Sequence, residues 1–200
     1  MATHKTRLEP LAPERWNEDT RRLLGGTLEP VANLEGSSSS GGPLTILRTI
    51  AHHPTLLEPF LGFTATLAIR GTLPRRSSEL LALRAAWNCG SAFEWGHHVA
   101  YASVAGMTKE EIDRVPSGPE HPGWSGEDRD LLIAADELHA GHDLSDATWS
   151  RLREHWDEAQ LLEIPFVVGN YTMLSMVANA TGVPIEDGLP PLPVVSPGDD

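Results

Sequence analysis

The sequence predicts an all-α protein of about eight helices. Three observations carry that prediction. Apolar residues recur at helical spacing through most of the 200-residue chain. Helix-capping signals precede several of those runs, at Thr108-Lys109-Glu110-Glu111, Ser125, Ser145 and Asp157. No stretch shows period-two alternation bounded by hairpin turns.

The elements follow in order. Pro13 takes a first-turn position and opens a short helix to about Leu24. The run from Glu35 through Ser37-Ser38-Ser39-Ser40 to Pro43 reads as a flexible loop, because small polar residues gain little by ordering. Leu44 to Ala51 forms a second helix, ended by His52-His53-Pro54. Pro54 opens Thr55 to Ile69, with Leu56, Leu57, Phe60, Phe63, Thr64 and Leu67 on one broad face, and Gly71 closes it. Ser77-Ser78-Glu79 leads into Leu80 to Asn88, and Gly90 breaks that helix before Ala92 to Val104. A capping box at Thr108 starts a short helix. Ser125 caps a helix to about Ala140, and Ser145 one to about Trp156. Asp157 caps a long apolar helix to about Ala180, with Pro165 near its start and Gly182 at its end. The chain thus divides into an N-terminal helix and loop (1–43), a helical domain (44–183) and an extended Pro-rich tail (184–200).

Composition limits the function. Lys and Arg number 15 against 28 Asp and Glu, a formal net charge of −13. This argues against nucleic acid or an anionic membrane as partner, since phosphate binding needs clustered cations. The single cysteine, Cys89, excludes an intramolecular disulfide and a Cys-x-x-Cys couple. Met1 to Pro10 is polar, no apolar run approaches the ~20 residues of a membrane span, and a cytoplasmic protein is expected.

The densest polar cluster in helical context runs from Glu79 to His98. Ser91, Glu94 and His98 are spaced three and four apart and share one helical stripe. A carboxylate beside an imidazole is a natural proton-transfer pair. Glu79 closes a carboxylate–imidazole–carboxylate relay if its helix packs antiparallel to the next through Cys89-Gly90. The plainer reading is a surface pair worth a few tenths of a kcal/mol. Arg84 either holds a substrate carboxylate or neutralises a nearby carboxylate or helix end. Trp87 and Trp95 are pocket wall or core. His97 and His98 are adjacent, so they point about 100° apart on a helix and suit one metal poorly. No metal and no cofactor is expected. Cys89 reads as a small buried hydrophobe.

Arg76-Ser77-Ser78-Glu79-Leu80-Leu81-Ala82-Leu83-Arg84, followed by Ser91-Ala92-Phe93-Glu94-Trp95-Gly96-His97-His98 and Ala102-Ser103-Val104-Ala105-Gly106-Met107-Thr108, resembles the carboxymuconolactone decarboxylase family, which includes the alkylhydroperoxidase D-like (AhpD-like) proteins. The redox branch of that family carries Glu, then Cys-x-x-Cys, then His. Its Glu and His fall on Glu79 and His98, but its cysteines fall on Ser91 and Glu94. Thiol-based peroxide reduction thus loses both its nucleophile and its resolving thiol. The resemblance implies an all-helical AhpD-like bundle, cofactor-free chemistry on a small-molecule substrate, and assembly into homotrimers or hexamers. It makes Glu94, His98 and Glu79 the candidate catalytic residues of a decarboxylase or proton-transfer enzyme acting on a lactone or carbonyl compound. Arg84, Ser91, Trp95 and His97 are candidate substrate contacts. The rival expectations are a redox protein using Cys89 and a non-catalytic ligand binder of the same fold.

Overall fold

The computed structural model describes residues 5–26 and 44–194. The Ser/Gly loop expected before Pro43 and the end of the tail lie outside them. Among the described residues run nine α-helices: α1 (Glu18–Gly26), α2 (Thr45–Ile50), α3 (Pro54–Arg70), α4 (Arg75–Asn88), α5 (Ala92–Val104), α6 (Lys109–Arg114), α7 (Gly126–Gly141), α8 (Asp146–Leu152) and α9 (Glu158–Thr181). Short 3-10 turns sit at Pro13–Arg15 and Val115–Ser117. The all-α expectation holds.

α4 is the axis of the bundle. It packs against α5, α7 and α9. Every residue from Ser77 to Ala86 is buried, so the helix has no solvent face and no amphipathic stripe. Any charged residue in that stretch needs a partner inside the protein. Glu79 and Arg84 both lie there, and their partners shape the surrounding elements.

Local chemistry sets the boundaries. Pro13 starts only a 3-10 turn; the Asn17 side chain accepts from the Thr20 N–H at 2.7 Å and restarts the chain as α1. α4 begins at Arg75, so the Ser77-Ser78-Glu79 segment expected to lead into Leu80 is already helical, because Pro74 supplies the preset entry. Glu163 of α9 accepts from the Thr72 N–H at 2.5 Å and its hydroxyl at 2.6 Å, fixing the α3–α4 loop that delivers Arg75. Gly90, at φ +60°, reverses the chain between α4 and α5, and Ser91 then caps α5 by accepting from the Glu94 N–H. α9 is long and apolar enough to cross a membrane by length and composition. It also packs on α3, α4, α5 and α7, and over half of its most apolar window is buried.

The start of the tail does not float. Glu186 returns to α2 and α5, and a side chain on Gly96 would meet Leu189 and the Pro190 carbonyl at 3.1 and 3.2 Å. Gly182 ends α9 in the left-handed region at φ +65°, where a Cβ would stand 2.6 Å from the Lys5 carbonyl oxygen. Gly182→Ala should therefore lower unfolding free energy by about 1–2 kcal/mol. Urea denaturation measures it; an unchanged midpoint would contradict the assignment.

Candidate active site

The α4–α5 reversal brings Glu79, Glu94 and His98 together. His98 Nδ1 lies 2.6 Å from Glu79 Oε2. Its Nε2 lies 3.6 Å from Glu94 Oε2, one helical turn back. Arg75, also one turn from its partner, places Nη2 2.6 Å from Glu79 Oε1. Glu79 is thus a buried carboxylate held between a guanidinium and an imidazole. Burial alone would push His98 down. The charge and hydrogen bond of Glu79, with Glu94 behind them, outweigh it and lift the imidazole to about 9. His98 is an imidazolium at neutral pH, with Nδ1–H donated to Glu79 and Nε2–H turned toward Glu94.

These groups form one wall of a cavity of about 400 Å³ between α2, α3, α5 and α9. Leu47, Phe60, Leu61, Ile69 and Leu174 supply much of the apolar lining. Thr64, Arg75, Glu94, His97, His98, Tyr101 and Tyr171 supply the polar groups. Tyr171 meets His98 edge-on, with ring centroids 4.2 Å apart. Burial, reinforced by the charges of Glu79 and Glu94, pushes Tyr101 up to about 12 and Tyr171 further, so both remain hydroxyl donors.

The expected substrate contacts divide. His97 lines the cavity, and its Nε2 lies 2.8 Å from Glu186 Oε2. Glu186 Oε1 accepts from the Thr45 N–H at 2.8 Å, so the tail is pinned to two walls of the cavity. Burial raises Glu186, but His97 and the Thr45 amide prevail and hold it at about 2, a carboxylate. Arg84 does not line the cavity. Five residues beyond Glu79, it points about 140° away around α4. It makes a two-pronged pair with Asp136 at 2.6 and 2.8 Å and donates to the Val115 carbonyl. Ser91 is the α5 cap, and Trp95, one residue past Glu94, is buried against Trp87. Cys89 also lies outside the lining, at the end of α4. Its Sγ is 3.8 Å from His139 Nδ1, and burial raises its thiol above the ordinary value. Among the described residues, no group of three or more His, Cys, Asp or Glu could hold a metal ion.

Sequence reasoning missed Arg75, Tyr101, Tyr171 and Glu186. Arg75 lies four residues before Glu79, and Tyr101 three after His98, so helical spacing carried a signal for both. Tyr171 and Glu186 arrive from distant chain and left no local trace.

Residues 54–137 match the family model described as the Carboxymuconolactone decarboxylase family. Over that stretch, less than half of its 200 residues, the chain is similar to the carboxymuconolactone decarboxylase family. Its fold is that of solved AhpD-like structures. A peroxidase-related protein from Silicibacter sp. TM1040 superposes with a TM-score of 0.77 at 16% identity, over 94% of this chain and 97% of that one. An AhpD-core peroxidase-related protein from Ralstonia eutropha JMP134 gives 0.76 at 17% identity, over 91% and 93%. The debrominase Bmp8, as a cysteine-to-alanine variant with 2,3,4-tribromopyrrole, gives 0.71 at 16%, over 93% and 95%. No curated protein matches the sequence. This chain has no second cysteine for a Cys-x-x-Cys pair.

His98 has a folded value near 9, above the unfolded value of about 6.5. Its stabilisation is complete below pH about 6.5 and is lost as pH rises through about 9. NMR titration of the His98 ring should show a midpoint near 9, and urea stability should fall between about pH 6 and about pH 9.5. Glu79→Gln should lower the midpoint and flatten the fall. A ring that titrates near 6.5 would contradict this account of the site.

Proposed function

We propose that this protein is an enzyme that moves a proton on a small, mostly apolar carbonyl compound, using Glu94 and His98. The observation that carries this reading is the gap between His98 Nε2 and Glu94 Oε2. At 3.6 Å it is too long for a hydrogen bond, and it opens on an apolar cavity with a charged imidazolium fixed behind it. An atom seated there meets an acid and a base together.

The step balances without a thiol. The Glu94 carboxylate takes the proton from carbon next to the carbonyl. The C–H pair forms the C=C bond, and the carbonyl π pair moves to oxygen. The His98 Nε2–H stabilises or protonates that oxygen, as an oxyanion donor does. Glu79 holds the ring in position and supports its charge, and Arg75 in turn holds Glu79. The proton then returns to the same carbon or another. Decarboxylation, the finer expectation, would use the same groups to protonate the carbanion left by carbon dioxide; the family description is what speaks for it. The expected self-association belongs to this reading. Exposed Leu162, Phe166, Met173 and Met176 on α9 offer an apolar face for a second copy.

A second reading has an observation of its own. The names of the structural relatives lean toward peroxidase and dehalogenation chemistry rather than decarboxylation. In this chain such a role falls to Cys89, which stands outside the cavity with a raised thiol. Peroxide consumption unchanged by Cys89→Ser removes that reading.

The first reading is tested by hydrogen–deuterium exchange at the methyl group of acetophenone in D2O, followed by NMR. Wild-type protein should accelerate it over buffer. Glu94→Gln and His98→Ala should each remove about 10²-fold or more of that acceleration, while Cys89→Ser leaves it unchanged. Equal exchange in all four proteins would contradict the assignment.

A further inference from the structure

We propose that the cavity accepts uncharged, enolisable ketones and rejects carboxylates of the same size. The inference rests on reading the cavity as the site of proton transfer, narrows its substrate class and sets decarboxylation, whose substrate carries a carboxylate, aside. Two independent observations carry it.

The first is that every basic side chain lining the cavity, among the described residues, already faces a carboxylate of the protein, with Arg75 and His98 sharing Glu79. Arg75 Nη2 is 2.6 Å from Glu79, His98 Nδ1 is 2.6 Å from Glu79, and His97 Nε2 is 2.8 Å from Glu186. Arg75 spends its other terminal nitrogen on the Ala68 carbonyl, at 2.8 Å. Arg84, the remaining buried guanidinium of α4, is bound to Asp136 outside the lining. A substrate carboxylate would therefore have to displace a protein carboxylate or compete with Glu94, 3.6 Å away, for the His98 Nε2–H. Both are costly. An uncharged molecule meets neither penalty.

The second observation concerns two polar atoms without partners. Glu94 Oε1 and the Tyr101 hydroxyl are buried and have no hydrogen-bond partner. Their residues are 4% and 8% exposed, and both line the cavity. They stand seven residues apart on α5, two turns along one stripe. Buried polar groups left unpaired in a native structure call for an explanation. One is a donor and the other an acceptor. A ketone supplies the complement: its oxygen, which has a second lone pair besides the one turned to the His98 Nε2–H, accepts from Tyr101, and the acidic hydrogen on the adjacent carbon goes to Glu94. A hydrocarbon satisfies neither atom. A carboxylate satisfies the donor and repels the acceptor.

The test is equilibrium binding to the full chain, by protein-observed NMR titration with acetophenone, benzoate and toluene. These share one ring and differ in the polar end. Acetophenone should bind at least about tenfold more tightly than benzoate. Tyr101→Phe should weaken acetophenone about fivefold and leave toluene unchanged. Glu94→Gln, which removes the negative charge beside the gap, should narrow the preference over benzoate. Benzoate binding as tightly as acetophenone overturns the proposal. So does an equal loss of acetophenone and toluene in Tyr101→Phe, or no binding of acetophenone at all. Selective ketone binding without α-hydrogen exchange would sink the proton-transfer reading alone. Exchange alongside equal benzoate binding would sink this inference alone.

Discussion

Glu79 is fully buried in the middle of a helix that has protein on every side. A carboxylate in that position is tolerable only if it is neutralised and hydrogen-bonded where it stands. Arg75, one turn before it, neutralises it from 2.6 Å, and His98, delivered by the next helix, hydrogen-bonds it at 2.6 Å. The rest of the neighbourhood follows from that need. Arg75 must enter from a fixed loop, which Glu163 holds through Thr72. The α4–α5 reversal must be tight, which Gly90 and the Ser91 cap permit. The imidazole bound in this way is charged, and it faces an apolar cavity.

A second, looser layer closes over the first. The tail after α9 returns along the chain's own surface, and Glu186 ties His97 on α5 to the start of α2. Leu47 of α2 lines the cavity, so this clasp sets one of its walls. The pairs leave the cavity with anchored cations and two unpartnered polar atoms on α5. Local ion pairing thus bears on selectivity as well as on stability.

Much of this was legible in the sequence, for physical reasons that can be named. Caps at Ser91, Thr108, Ser125, Ser145 and Asp157 are local devices, and each bonds a backbone amide within its own turn. The stripe of Glu94 and His98 is equally local, and the Cys89-Gly90 break implied the antiparallel return to Glu79. Arg84 and Trp95 misled because spacing along a helix gives an angle but not which angle faces the cavity. Arg84 went to Asp136 on α7, and Trp95 went to Trp87. Tyr171 and Glu186 had no local signature, since their partners lie 73 and 89 residues away along the chain. The Pro13 helix failed as one unit because Asn17 offered the backbone a competing cap.

The central claim is that Glu79 and His98 act as one buried charged unit. A double-mutant cycle with Glu79→Gln, His98→Gln and the double variant, read by urea denaturation at neutral pH, tests it most directly. The account predicts a coupling free energy of at least about 2 kcal/mol, with each single variant strongly destabilised. A coupling below about 0.5 kcal/mol, the additive behaviour of independent sites, would contradict it.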